Sequence, residues 1–82
     1  MTEIPPQGAL DRLDGAALRR LREAMPEGSW FDVKSPTFAR RGWHVVEFRS
    51  GDRMYEEWYH GDTIAEAAIK CRLAIQALIT HD

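Results

Sequence analysis

Residues 61–79, Gly-Asp-Thr-Ile-Ala-Glu-Ala-Ala-Ile-Lys-Cys-Arg-Leu-Ala-Ile-Gln-Ala-Leu-Ile, constrain the fold more than any other part of the chain. Thr63 and Glu66 make the Thr-x-x-Glu pattern of a capping box, in which the hydroxyl takes the amide of residue 66 and the carboxylate reaches back. Behind it, Ile64, Ala67, Ala68, Cys71, Ala74, Ile75 and Leu78 recur at three- and four-residue steps, filling an arc of about 100°. Ile69 and Leu73 point nearly opposite, between Glu66, Lys70 and Gln76. A helix laid on a two-layer core needs one apolar side. The second side needs cover from the first helix or the N-terminal arm, from a second copy, or from a partner.

The other elements follow from local pattern. Residues 1–8 hold two prolines and a glycine and read as a flexible arm, leaving 9–82 as one domain. Leu10, Leu13, Ala17, Leu18, Leu21, Ala24 and Met25 keep a helical period, with Asp14 as N-cap and Pro26 and Gly28 as the stop. Arg19, Arg20 and Arg22 form the wet side of this helix. Ser29 to Lys34 is a short strand, broken at Ser35-Pro36. A loop with Arg40 and Arg41 follows. Trp43 to Arg49 is the clearest strand, and Arg53 to His60 returns after a turn at Ser50-Gly51-Asp52. The expected class is α+β in the order α-β-β-β-α: a three-stranded antiparallel sheet packed by two helices.

Hairpin register decides which aromatics lie inside. A three-residue loop pairs Phe48 with Asp52, Val46 with Met54 and His44 with Glu56. One face then holds Val46, Phe48, Met54 and Trp58, and the other holds Trp43, Val45, Glu47, Tyr55, Glu57 and Tyr59. A two-residue loop mixes the two sets. The first register separates apolar from mixed residues and is preferred, with Trp58 in the core and Trp43 more exposed.

The bulk numbers narrow the function. At 82 residues the chain buries a single small core. Cys71 is the only cysteine, so no disulfide braces the fold, and it falls on the main helical stripe. The first residues carry neither a basic nor an apolar signal segment, and no apolar run approaches bilayer length, so a cytoplasmic protein is expected, with no membrane contact. The formal net charge of -2 disfavours general binding to nucleic acid. The basic residues gather in the first 50 positions, which carry 8 Lys+Arg against 7 Asp+Glu; residues 51–82 carry 3 against 6.

Chemistry-bearing patterns are sparse. His44, His60 and His81 show no ligand spacing, so no metal or cofactor is expected. Glu56 and Glu57 are neighbours on a strand and face opposite ways, which rules them out as an acid/base pair. No glycine-rich phosphate loop exists, and the expectation is a non-enzyme. Two surfaces stand out for binding. Trp43, Tyr55 and Tyr59 share a sheet face, where aromatics serve either recognition or ordinary cross-strand pairing. Ile69 and Leu73 form the second helical stripe. As an alternative, Arg19, Arg20, Arg22, Arg40 and Arg41 offer contacts to nucleic-acid phosphates, or simply a solvated surface.

Two family resemblances bear on these residues. The α-β-β-β-α order and Gly61-Asp62-Thr63-Ile64-Ala65-Glu66-Ala67-Ala68 resemble the double-stranded RNA-binding domain and its alanine-rich last helix. That family grips phosphates with lysines at this helix start, where the present chain has Asp62, Ile64 and Glu66; only the topology is similar. The strand with Trp43, the aromatic strand after it and the helix from Thr63 to Leu78 resemble small bacteriophage proteins of the "ABA sandwich" type. This resemblance implies a phage or prophage accessory protein with no assigned reaction and no catalytic residues. It leads to the expectation of a module that binds a host or phage protein, with inhibition of a host defence complex, as anti-CRISPR proteins do, as one concrete form. A homodimer is also compatible with the second stripe.

Overall fold

The computed structural model describes residues 7–49 and 55–80. The order is α1 (Gln7–Ala24), β1 (Ser29–Lys34), β2 (Trp43–Arg49), β3 (Tyr55–Gly61) and α2 (Ile64–Thr80). The three strands form one antiparallel sheet with β2 in the centre. The α-β-β-β-α arrangement expected from the sequence is therefore the fold. Helix α2 lies across β2 and β3, and α1 packs along α2.

The start of α2 is fixed by side chains. The Glu66 amide donates to Thr63 Oγ1 at 3.1 Å, and the Asp62 amide donates to Glu66 Oε2 at 3.0 Å. The capping box is formed, with the carboxylate serving Asp62. A further cap comes from far away in sequence. Asp14 Oδ1 accepts the Ala65 amide at 2.9 Å. Asp14 is thus not the N-cap of α1, which begins seven residues earlier at Gln7. It sits inside α1 and satisfies an orphan amide of α2, tying the two helices together. Gln7 and Gly8 belong to α1, and residues 1–6 of the expected arm lie outside the described residues. Helix α1 stops before Pro26, and Gly28 turns the chain into β1 with φ +83°.

The hairpin register differs from the expected one. Phe48 pairs with Glu56, Val46 with Trp58 and His44 with His60. Each partner is four residues later than a three-residue loop requires, and residues 50–54, which hold the expected turn, lie outside the described residues. An even shift keeps every side chain on its face. What changes is its neighbour: Tyr55 now stands opposite Arg49, Tyr59 opposite Val45, and Gly61 opposite Trp43. Gly61 is held there by α2, because a Cβ would lie 2.5 Å from the Ala67 nitrogen.

The core lies on the opposite face of the sheet from the one expected. Leu21, Val45, Ala67, Ala68, Cys71 and Ile75 form the buried cluster, with Ala17, Leu18, Met25, Phe31, Val33 and Tyr59 packed around it. The helices cover the Val45–Glu47–Tyr59 side. Trp58, expected in the core, is 40% exposed, while Trp43 on the helix side is half-buried. The reason is Glu47. Its charge argues for a solvent-facing position, yet it is 0% exposed. Arg49 Nε donates to Glu47 Oε2 at 2.6 Å and Tyr59 Oη donates to Oε1 at 3.3 Å, so the carboxylate is paired inside. The small side chains Ala67, Ala68 and Cys71 bring α2 close to the sheet, where Val45 and Gly61 fit beneath it.

Candidate functional site

The face left open by the helices carries a regular array. Strand pairing aligns Trp30, Phe48 and Glu56 in one row. Asp32, Val46 and Trp58 form the middle row, and Lys34, His44 and His60 form the last. Alternation along each strand sends all nine side chains to the same side. One end is aromatic: Trp30 and Phe48 stack with centroids 5.5 Å apart at 15°. The other end is basic, and the loop after β1 adds Arg40, whose guanidinium lies 5.0 Å from the centroid of Trp58.

Val46 at the centre of the array is completely buried although no helix covers it. Its cross-strand neighbours on this face are Asp32 and Trp58, with His44 and Phe48 two residues away along β2. Trp58 is held in place on three sides. Its Nε1 donates to Glu56 Oε1 at 2.6 Å, His44 meets its ring edge-on at 5.6 Å, and Arg40 caps its face. Fixed aromatics lose little freedom on binding, which suits them to contact.

The basic end is electrostatically loaded. The rings of His44 and His60 lie 5.0 Å apart. Burial, then His60, then Arg40 push the His44 pKa below its ordinary value. Arg40 Nε and His44 Nδ1 are shut off from solvent with no hydrogen-bond partner among the described residues. Gly42 makes room for this arrangement: it has φ +77°, and a Cβ there would lie 2.3 Å from His60 Nε2.

The loop from Ser35 to Gly42 is shaped by Thr37 and Arg40. The Thr37 amide donates to the Arg40 carbonyl at 2.8 Å, and the Arg40 amide donates back to the Thr37 carbonyl at 3.2 Å. The Arg40 amide also reaches Thr37 Oγ1, and Arg40 Nη2 donates to the Ser35 carbonyl. This tight turn leaves Phe38 fully in solvent.

The residues expected to bind a partner divide between two places, both away from this array. Trp43, Tyr55 and Tyr59 lie on the helix side of the sheet. Tyr59 is in the core packing with its hydroxyl on Glu47, and burial first, then Glu47, raises its pKa. Tyr55 is more open and carries Arg49 over its ring at 4.3 Å. Ile69 and Leu73 remain exposed, at 41% and 55%, so α1 does not bury them. Ile69 lines a shallow groove with Leu13, Ala17 and Ala65 between the two helices. Of the five arginines in the phosphate-binding alternative, Arg40 lies on the open face. Arg19, Arg20 and Arg22 are on α1, where Arg22 lines a pocket with Met25, Pro26 and Trp30.

Sequence reasoning does not single out Trp30, Phe48, His44, His60 and Lys34 as binding residues. A signal is present in β1, where Trp30, Asp32 and Lys34 alternate with the more apolar pair Phe31 and Val33. Among the described residues no group of three His, Cys, Asp or Glu side chains is placed to hold a metal. Burial pushes the Cys71 thiol up to about 12, so it is not a nucleophile at neutral pH. Among the described residues, no helix is long and apolar enough to cross a membrane. No protein family model, curated protein or solved structure matches the chain.

Proposed function

We propose that this protein is a non-enzymatic binding module that acts through protein–protein contact, with the open sheet face as its contact surface. One observation carries the reading: Trp30, Phe48 and Trp58 share a rigid sheet face that no helix covers, with Arg40 laid on Trp58. Tryptophan and arginine are enriched among the anchors of binding hot spots. The exposed Ile69 and Leu73, with Tyr55, offer a second, weaker apolar surface on the helix side. The resemblance of the Trp43 strand and the last helix to small phage proteins supports a phage or prophage origin. A module of that kind acts by occupying a surface on a host or phage protein, and blocking a host defence complex is the concrete form.

A second reading has an observation in its favour. Lys34, Arg40, His44 and His60 beside Trp58 combine cations with an aromatic platform, as single-stranded nucleic-acid binders do. Asp32 and Glu56 on the same face and the net charge of -2 weigh against it. A pull-down from bacterial lysate, analysed for protein and nucleic acid, separates the two. The first reading expects a protein partner that is lost with Trp30→Ser/Trp58→Ser and is insensitive to salt. Nucleic acid that leaves as salt rises establishes the second reading instead.

A further inference from the structure

We infer that a second copy of this chain packs on the open sheet face, related to the first by a two-fold axis that crosses the strands at the level of Val46. The inference rests on the reading of that face as a protein contact surface and places a second copy there in the free protein, in competition with any other protein that binds the same face. An interface between identical copies must be complementary to itself under a two-fold rotation. The three-by-three array meets that demand in one orientation.

Stacked sheets keep their strands within about 30° of each other. An axis across the strands reverses the rows and keeps each strand over its counterpart. Glu56 then faces the second copy's His60, with Arg40 and His44 beside it. Trp30 lies under the second copy's Lys34, a cation over an aromatic ring. Phe48 meets His44. Val46 and Trp58 meet their own counterparts on the axis. The acidic corner of each copy thereby reaches the basic end of the other, where His60 is exposed beside His44 and Arg40. The one mismatch is Asp32 against Asp32, and each of these has its own Lys34 ammonium 3.9 Å away.

The alternative stacking, with the axis along the strands, sets Lys34 over His60 and brings the two basic ends together. Like charges in contact disfavour it. The preferred stacking leaves both helical layers outside, so Ile69 and Leu73 stay free for a different protein. The array is small. Three strands by five residues cover about 14 Å by 17 Å at ordinary strand and residue spacings. Standard interfaces bury ~800 Å² per partner, so a contact this small belongs to the weak, transient end of protein association.

Sedimentation equilibrium over a concentration series tests this, with the wild type, the single variants Glu56→Lys, His60→Glu and Trp58→Lys, and a mixture of the first two. The wild type should move from 9.4 kDa toward twice that mass as concentration rises. Glu56→Lys alone sets lysine against His60, and His60→Glu alone sets glutamate against Glu56. Each should associate at least about tenfold more weakly than the wild type. An equimolar mixture of the two variants should associate again. The lysine introduced at position 56 of one copy then meets the glutamate introduced at position 60 of the other, while the second contact stays native. A wild type that remains at 9.4 kDa throughout overturns the inference. So do variants that dimerise normally, or a mixture that does not recover. Circular dichroism confirms that each variant is folded. A dimer dispersed by Trp58→Lys but not restored in the mixture keeps the open face as the contact surface and removes only this pairing. A dimer indifferent to every substitution on this face removes both.

Discussion

The two faces of this sheet are built by opposite rules. The covered face contains a carboxylate and a tyrosine hydroxyl, and it is the core. The open face contains two tryptophans and a phenylalanine, and it is the surface. Polar groups can be buried where each finds a partner, as Glu47 does with Arg49 and Tyr59. Aromatic groups can stay outside where they pair with one another and with cations, as Trp30, Phe48, Trp58, His44 and Arg40 do. Residue type alone therefore assigns the faces the wrong way round. The pairing geometry assigns them correctly.

The largest expected effect comes from breaking the covered face at its charge. Arg49→Leu leaves Glu47 buried without its cation, which costs roughly 3–5 kcal/mol. A domain of this size holds about that much in total. The variant should show no cooperative urea transition. Glu47→Leu/Arg49→Leu should fold again, because removing a buried pair together is nearly neutral or stabilising. If Arg49→Leu melts like the wild type, Glu47 is not buried and the faces are misassigned. Next in size is Ile75→Ala, which opens a cavity between α2 and the sheet and should lower unfolding free energy by about 2–5 kcal/mol.

Asp14→Ala should cost about 1 kcal/mol, the usual worth of a lost helix cap. Asn at the same position should recover most of it, since the amide of Ala65 still finds an oxygen. Thermal melts of both variants read this out, and equal losses for Ala and Asn would deny the cap.

The smallest effect distinguishes the basic end of the open face. The folded state lowers the His44 pKa, so the unfolded chain binds more protons near that value. Stability should therefore rise with pH through the window below the ordinary histidine value and be lost as pH falls. His60 and then Arg40 reinforce the sign, while Lys34, opposite His44 across the strands, is paired with Asp32. The urea midpoint of His44→Gln should fall less than that of the wild type between neutral and mildly acidic pH. A wild-type midpoint that increases on acidification contradicts the arrangement.

What local chemistry specifies was legible in the sequence. The three strands, their order, the stop of α1 at Pro26 and the capping box of Thr63 and Glu66 all follow from residues close in the chain. What depends on distant contacts was not. Asp14 looks like an N-cap, and it is one, but for an amide 51 residues away. Ser50-Gly51-Asp52 signals a turn, yet the register, which brings Tyr59 against the core and Gly61 against α2, does not follow from it. The site was half legible. Arg40 was among the candidates, whereas the helical pattern favoured cover of Ile69 and Leu73 by the first helix, and they are exposed. The Trp30 side of the sheet could not, because Glu47 made its own face look wet and hid the pairing with Arg49 two residues on.

Trp58→Ala measures the difference between the faces most directly. Urea unfolding followed by far-ultraviolet circular dichroism, at protein low enough to be monomeric, gives the answer in one experiment. With Trp58 on the open face, the variant should unfold cooperatively and lose about 1–2 kcal/mol, from its edge contact with His44 and the cation above its ring. A variant with no folded baseline, or a loss of roughly 3–5 kcal/mol as for a tryptophan removed from a core, would place Trp58 inside and contradict the account.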